Sequence, residues 1–170
     1  MGCGKSTMGR AVSQLTGFSF IDLDNYIEGR YRLSVKEIFA ERGEAGFRDV
    51  ERRMLQEVAD FEDVIVACGG GTPCFFDNME YMNNRGTTVF LNTPIERLHS
   101  RLMRGRYKRP LIADKNDEEL MVFIKEALAK RMEHYKKAQI EFSSERLENK
   151  SEIENTAREF VELLSIPVMG

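Results

Sequence analysis

Gly4-Lys5-Ser6-Thr7 brings together, in one short stretch, what a phosphate-handling site needs. Glycines let successive backbone N–H groups curl around phosphate oxygens, a lysine adds a mobile positive charge, and the neighbouring hydroxyl suits a divalent cation. These residues close the pattern G-x-x-x-x-G-K-[ST], with Gly2 and Cys3 inside it and its first glycine one position ahead of Met1. The same stretch also fits a lipid-acceptor pattern, M-G-x-x-x-[ST], with Cys3 placed for a second acyl chain. Only the phosphate reading explains features further along the chain.

Asp22 and Asp24 flank one residue at the expected end of a strand, so one carboxylate can face a metal-bound water and the other an acceptor hydroxyl. Arg48 lies beside Phe47 and Glu51 on a helical stripe, and taken alone it reads as a surface ion pair worth about 0–1 kcal/mol. Gly69-Gly70-Gly71 follows an apolar run; three glycines cost more order than a turn requires and suggest a ligand approaching the backbone. Basic residues cluster between Arg101 and Arg109, although the net charge of −3 argues against general nucleic-acid affinity.

Alternating elements are expected to position these groups. Met8, Ala11, Val12 and Leu15 predict a helix over 6–16, opening directly from the loop. Residues 18–22 read as a strand, Ser34 and Glu37 as a capping box, 44–59 as a helix, and 64–67 as a strand buried on both faces. A strand over 87–91, a capping box at Thr93-Pro94-Ile95-Glu96 with a helix to 103, a polar stretch over 104–116 and a helix over 117–135 follow. A strand over 139–142 and a helix capped by Ser151 close the chain. Strands alternating with helices predict an α/β fold of three layers, a parallel sheet with helices on both faces and ligands at the strands' carboxyl ends.

The 170 residues suit one domain with a substantial core. Cys3, Cys68 and Cys74, with His99 and His134, have no disulfide or zinc spacing, so a reducing, cytoplasmic setting is expected. No apolar run reaches the roughly 18–20 residues of a membrane span.

The ordered set GCGKST, FIDLD, RGEAGFRDVE, ACGGGTP, RYKRPLI and AKRMEHY resembles the shikimate kinases over nearly the whole chain. That resemblance implies a P-loop kinase of the nucleoside-monophosphate-kinase type, transferring the γ-phosphate of ATP to the 3-hydroxyl of shikimate in aromatic amino-acid synthesis. It implies an ATP site formed by Gly2, Cys3, Gly4, Lys5, Ser6 and Thr7, with Arg101, Arg109 and Lys150 contacting the nucleotide. Lys5 would hold the outer phosphates, Ser6 and Asp22 the Mg²⁺, and Asp24 the reacting hydroxyl. Arg48 and Arg131 would clamp the shikimate carboxylate, and Gly69, Gly70 and Gly71 would offer backbone contact. The resemblance further implies a lid over 104–116 carrying Arg109, substrate-binding helices over 34–59, a monomer, and no nucleic-acid or membrane partner.

Members of that family begin with a strand and a further glycine ahead of this loop, so the expectation is a fold whose first central strand lies upstream of Met1. A core lacking it would leave buried backbone groups unpaired at about 1–3 kcal/mol each. The rival readings are another small-molecule kinase of the same fold, such as a gluconate kinase, and an inactive nucleotide-binding protein.

Overall fold

Gly4 adopts a left-handed φ of 91°, and the chain turns there into α1 (Lys5–Thr16), which ends at Gly17 in the same conformation. The structure, a computed structural model, describes residues 1–105 and 111–169. After α1 come β1 (Ser19–Asp22), α2 (Leu23–Tyr31), α3 (Val35–Val58) and β2 (Val64–Ala67). A single turn of 3-10 helix (Thr72–Cys74) leads to α4 (Asn78–Arg85), β3 (Val89–Asn92) and α5 (Ile95–Met103). The chain closes with α6 (Asp117–Tyr135), β4 (Ile140–Ser143) and α7 (Lys150–Leu163).

All pairing is parallel. β1 runs beside β2 with Asp22 opposite Ala67, and β3 runs beside β4 with Asn92 opposite Ser143. Among the described residues the strands form two parallel pairs, with no ladder from β2 to β3. Helix α1 spans both pairs: Met8 and Val12 pack with Phe142, Val161, Ile65, Val89 and Leu91, joining α1 and α7 into one covering layer.

The opposite face of β1 and β2 is covered by α2 and α3. Alternation along each strand sends Ile21 and Val66 to this side, where they meet Leu23, Ile27, Val50 and Leu55. Leu23 and Ile27, one turn apart and both 0% exposed, clamp α2 by burial worth about 1.5–3 kcal/mol each. A third cluster joins α5 and α6 through Leu98, Leu102, Leu120 and Ile124, and Ile112 enters it from the segment expected to be a lid.

Several local expectations are corrected. Asp24 lies in the first turn of α2 rather than on a strand end, because Asp22 caps that helix by accepting from the Asn25 N–H at 3.4 Å. Ser34 and Glu37 form their capping box, but the helix so begun continues to Val58, interrupted at Gly43 with φ 66°. Thr93 does not cap α5; Pro94 occupies the cap position and the Thr93 hydroxyl pairs with Ser144 at 2.7 Å. Asn149, not Ser151, caps α7 by accepting from the Glu152 N–H.

Candidate active site

The parallel register sets Asp22 and Ala67 side by side, so the loops that leave β1 and β2 emerge together next to the start of α1. Gly2 and Gly4 both hold positive φ, 79° and 91°, which residues bearing a Cβ rarely adopt. Helix α1 begins with no side-chain cap and no acidic residue in its first turn, leaving its first N–H groups and positive end for an anion. The Ser6 hydroxyl donates to Asp22 Oδ2 at 2.9 Å, and Lys5 Nζ lies 3.8 Å from Cys3 Sγ with no ion pair among the described residues.

Asp24 projects from α2 beside this loop. Burial first, then the charges of Asp22 and Glu51, push its carboxyl above the ordinary 3.8, and Lys5 partly opposes them. Among the described residues no hydrogen bond or ion pair engages it, so its oxygens remain available to a ligand. Glu51 is different: it is 1% exposed, and its two oxygens accept from Arg48 Nη1 at 2.8 Å and from the Thr72 hydroxyl at 2.7 Å. Arg48 is thus a buried pair and not the surface pair that its helix position suggests. Its guanidinium is further boxed in by Phe75, 4.0 Å from the ring centroid, and its Nε has no partner.

The triple glycine is explained by what crowds it. A Cβ at Gly71 would lie 2.7 Å from Arg48 Nη2, and one at Gly70 would lie 2.9 Å from Arg131 Nη1 and 3.1 Å from Tyr135 Oη. Two guanidinium groups, from α3 and α6, therefore flank consecutive positions of one loop, where a ligand had been expected to approach the backbone. A Cβ at Gly69 would lie 3.6 Å from Asp24 Oδ1, which places the carboxylate at the near end of the same loop. The three cysteines are free thiols, and burial pushes Cys68 up to about 12, so it stays protonated.

Arg101 is tied to the segment that follows β4. Its guanidinium donates to Glu148 at 2.8 Å, to the Ser144 carbonyl at 3.0 Å and to the Glu145 carbonyl at 2.7 Å, tying α5 to the segment between β4 and α7. Arg104 joins Glu148 at 2.8 Å, and these arginines hold the Glu148 carboxyl below its ordinary range. Lys150 opens α7 with its side chain 90% exposed and paired to Glu154 at 3.8 Å. Arg109 lies outside the described residues, as does part of the segment expected to be a lid.

The family model described as Shikimate kinase matches residues 1–165. The chain belongs to the shikimate kinase family. It is 50% identical over 164 residues to a shikimate kinase of Parabacteroides distasonis, covering 96% of this chain and 95% of that protein. Among solved structures it is similar to a shikimate kinase of Bacteroides thetaiotaomicron, with TM-score 0.94, 50% identity, and 97% and 94% of the chains covered. It is similar also to an Acinetobacter baumannii shikimate kinase in complex with shikimate, with TM-score 0.81, 31% identity, and 97% and 88% covered. Family membership makes the chain an ATP-dependent kinase with the P-loop fold.

Within that shikimate kinase frame, sequence reading had not singled out Thr72, Phe75, Tyr135 or Glu148. Helix spacing alone reads Glu51 as the surface partner of Arg48. For Glu51 a signal existed: it shares a helical stripe with Phe47, Val50, Met54 and Leu55, all buried. Glu148 had no such signal, since only the fold brings it within reach of α5.

Proposed function

We propose that this chain transfers the γ-phosphate of ATP to the 3-hydroxyl of shikimate, giving shikimate 3-phosphate and ADP. One observation carries the reading most directly: two guanidinium groups flank Gly70 and Gly71, one loop turn from a carboxylate with no partner beside the phosphate loop. A planar carboxylate on a hydroxylated ring fits such a pair, and guanidinium suits it better than ammonium. Arg131, which makes no ion pair among the described residues, supplies the uncompensated charge; Arg48 supplies a rigid second contact.

Lys5 and the N–H groups of Gly2, Cys3, Gly4, Ser6 and Thr7 bind the nucleotide phosphates. Asp24 orients the 3-hydroxyl and takes its proton at Oδ1 or Oδ2, a task its raised proton affinity suits. Asp22 and the Ser6 hydroxyl form a pair of oxygens beside the loop, and no group of three or more His, Cys, Asp or Glu makes a cation cage among the described residues. That donor set fits Mg²⁺, which takes one or two protein oxygens plus substrate phosphates. When bound, Mg²⁺ would neutralise charge on the phosphates. Arg109 and the lid keep the roles implied by the resemblance. Arg101 contributes by holding the segment next to the nucleotide, while Lys150 would have to leave Glu154 to touch it.

No helix among the described residues is long and apolar enough to cross a membrane. The proposed setting is cytoplasmic, as a monomer whose substrates are ATP and shikimate, with no nucleic-acid or membrane partner. Initial rates of ADP release test the reading. Shikimate supports turnover and gluconate does not, and Arg48→Ala raises KM for shikimate at least tenfold more than KM for ATP. Equal rises would remove Arg48 from the acceptor site, and turnover on gluconate would favour the rival kinase.

A further inference from the structure

Arg131 and Tyr135 lie one helical turn apart on α6, so both side chains leave the same face. The Tyr135 hydroxyl donates to the Gly70 carbonyl at 2.7 Å, and Arg131 comes to the same glycine: a Cβ there would lie 2.9 Å from Arg131 Nη1 and 3.1 Å from the phenol oxygen. The ring behind it packs on Phe90 of β3, centroids 5.2 Å apart at 32°. The phenol thus ties α6 to the backbone of the glycine loop at the point where the Arg131 guanidinium lies. We propose that Tyr135 is a positioning residue of the acceptor site, whose hydroxyl fixes Arg131 and the Gly70 peptide in one orientation for a carboxylate.

The two guanidinium groups differ in what holds them. Arg48 is anchored by Glu51, by Glu44 and by the Phe75 ring. Arg131 has no carboxylate partner among the described residues, and a long side chain without one samples several rotamers. A neutral phenol can orient such a cation without cancelling its charge. A carboxylate in the same place would compete with the substrate's own. The phenol's donated hydrogen is committed to the Gly70 carbonyl, so toward the neighbouring guanidinium the oxygen can act only as an acceptor. Burial raises the phenol's pKa, with Arg131 opposing, and the group stays a donor at neutral pH.

This inference rests on Arg131 holding the acceptor carboxylate, and its test separates the two. Shikimate and its neutral carboxamide are compared on the full chain, on Tyr135→Phe and on Arg131→Ala. Phenylalanine keeps the ring on Phe90 and removes only the hydroxyl. Expected for Tyr135→Phe are a rise of about tenfold in KM for shikimate, little change in KM for ATP or in Tm, and unchanged binding of the carboxamide. Arg131→Ala should cut the preference for shikimate over the carboxamide at least tenfold, Arg48 keeping the rest. If Arg131→Ala leaves that preference undiminished, the site reading and this inference both fall. If Arg131→Ala cuts it but Tyr135→Phe leaves KM for shikimate unchanged, or weakens both ligands equally, Tyr135 is only structural and the inference falls alone.

Discussion

Replacing Gly71 with alanine adds one carbon to a position that the backbone tolerates. Gly71 has φ −89° and ψ −25°, a right-handed conformation open to alanine, so the effect is steric and not a matter of strained backbone. The new carbon would meet Arg48 Nη2 at 2.7 Å, Nη1 at 2.9 Å and Cζ at 3.0 Å. Ordinary contact begins at 3.4 Å, so Nη2 must retreat by about 0.7 Å, the difference between the two distances. The guanidinium has little room to yield, with Phe75 at 4.0 Å and Phe47 at 5.2 Å from Cζ. A shift of that size stretches the 2.8 Å bond to Glu51 toward the limit of hydrogen bonding. Losing much of a charged hydrogen bond costs about 1.5–3 kcal/mol, and misplacing a binding group by about 1 Å can cost about 100-fold in rate.

Initial rates with shikimate varied at saturating ATP, then the reverse, should show kcat/KM for shikimate falling about 10- to 100-fold and KM for ATP within about twofold of the parent. Thermal melting should fall by about 3–12 °C, each kcal/mol being worth about 2–4 °C at this size. A lower Tm with unaltered shikimate kinetics would show that Arg48 packs on the loop without serving the acceptor. An equal loss toward ATP would place the disturbed contact in the phosphate loop.

Asp24→Asn is expected to abolish turnover while raising Tm at neutral pH. The folded-state pKa of Asp24 lies above 3.8, so stability is lost as pH rises through the folded value; the gain from asparagine should vanish below 3.8, and melting curves across pH check it. Glu148 has the opposite sign. Its folded pKa lies below 4.5, so its contribution is present above 4.5 and fades as pH falls through the folded value. Glu148→Gln should therefore lower Tm at neutral pH by a few degrees, about 1 kcal/mol at most for a partly exposed pair, and the loss should shrink in acid.

The fold was legible wherever local chemistry and burial agree. Ser34 and Glu37 cap α3 as their spacing predicts, and the bounds of α6 match the polar-to-apolar periodicity of 117–135. α2 was missed because only Leu23 and Ile27 carry its inward face. Asn149 caps α7 in place of Ser151 because Glu152, three residues after Asn149, exchanges hydrogen bonds with its side chain from both backbone and carboxylate. The site was legible as residue types in order, and less so as geometry. Arg101 shows why: its three donors hold Glu148 and two carbonyls that lie 43 to 47 residues away in sequence, contacts that no local pattern announces.

Partner use separates the residues that build this site from those left to act in it. Asp22 is held by Ser6 and by the Asn25 N–H, Glu51 by Arg48 and Thr72, and Thr72 in turn accepts from Asn78 at its carbonyl. Each of these polar groups recovers the hydrogen bonding that burial removes, and together they keep the loops after β1 and β2 in register. Lys5, Asp24 and Arg131 are not compensated in this way: none makes an ion pair among the described residues, and the Asp24 carboxyl is held at a raised proton affinity by its surroundings. Like charges kept close and cations left without a carboxylate mark a place where a ligand can supply the missing partners. On the proposed reading, phosphate oxygens complement Lys5, a hydroxyl complements Asp24 and a carboxylate complements Arg131, an order that would run from nucleotide through reacting hydroxyl to acceptor carboxylate.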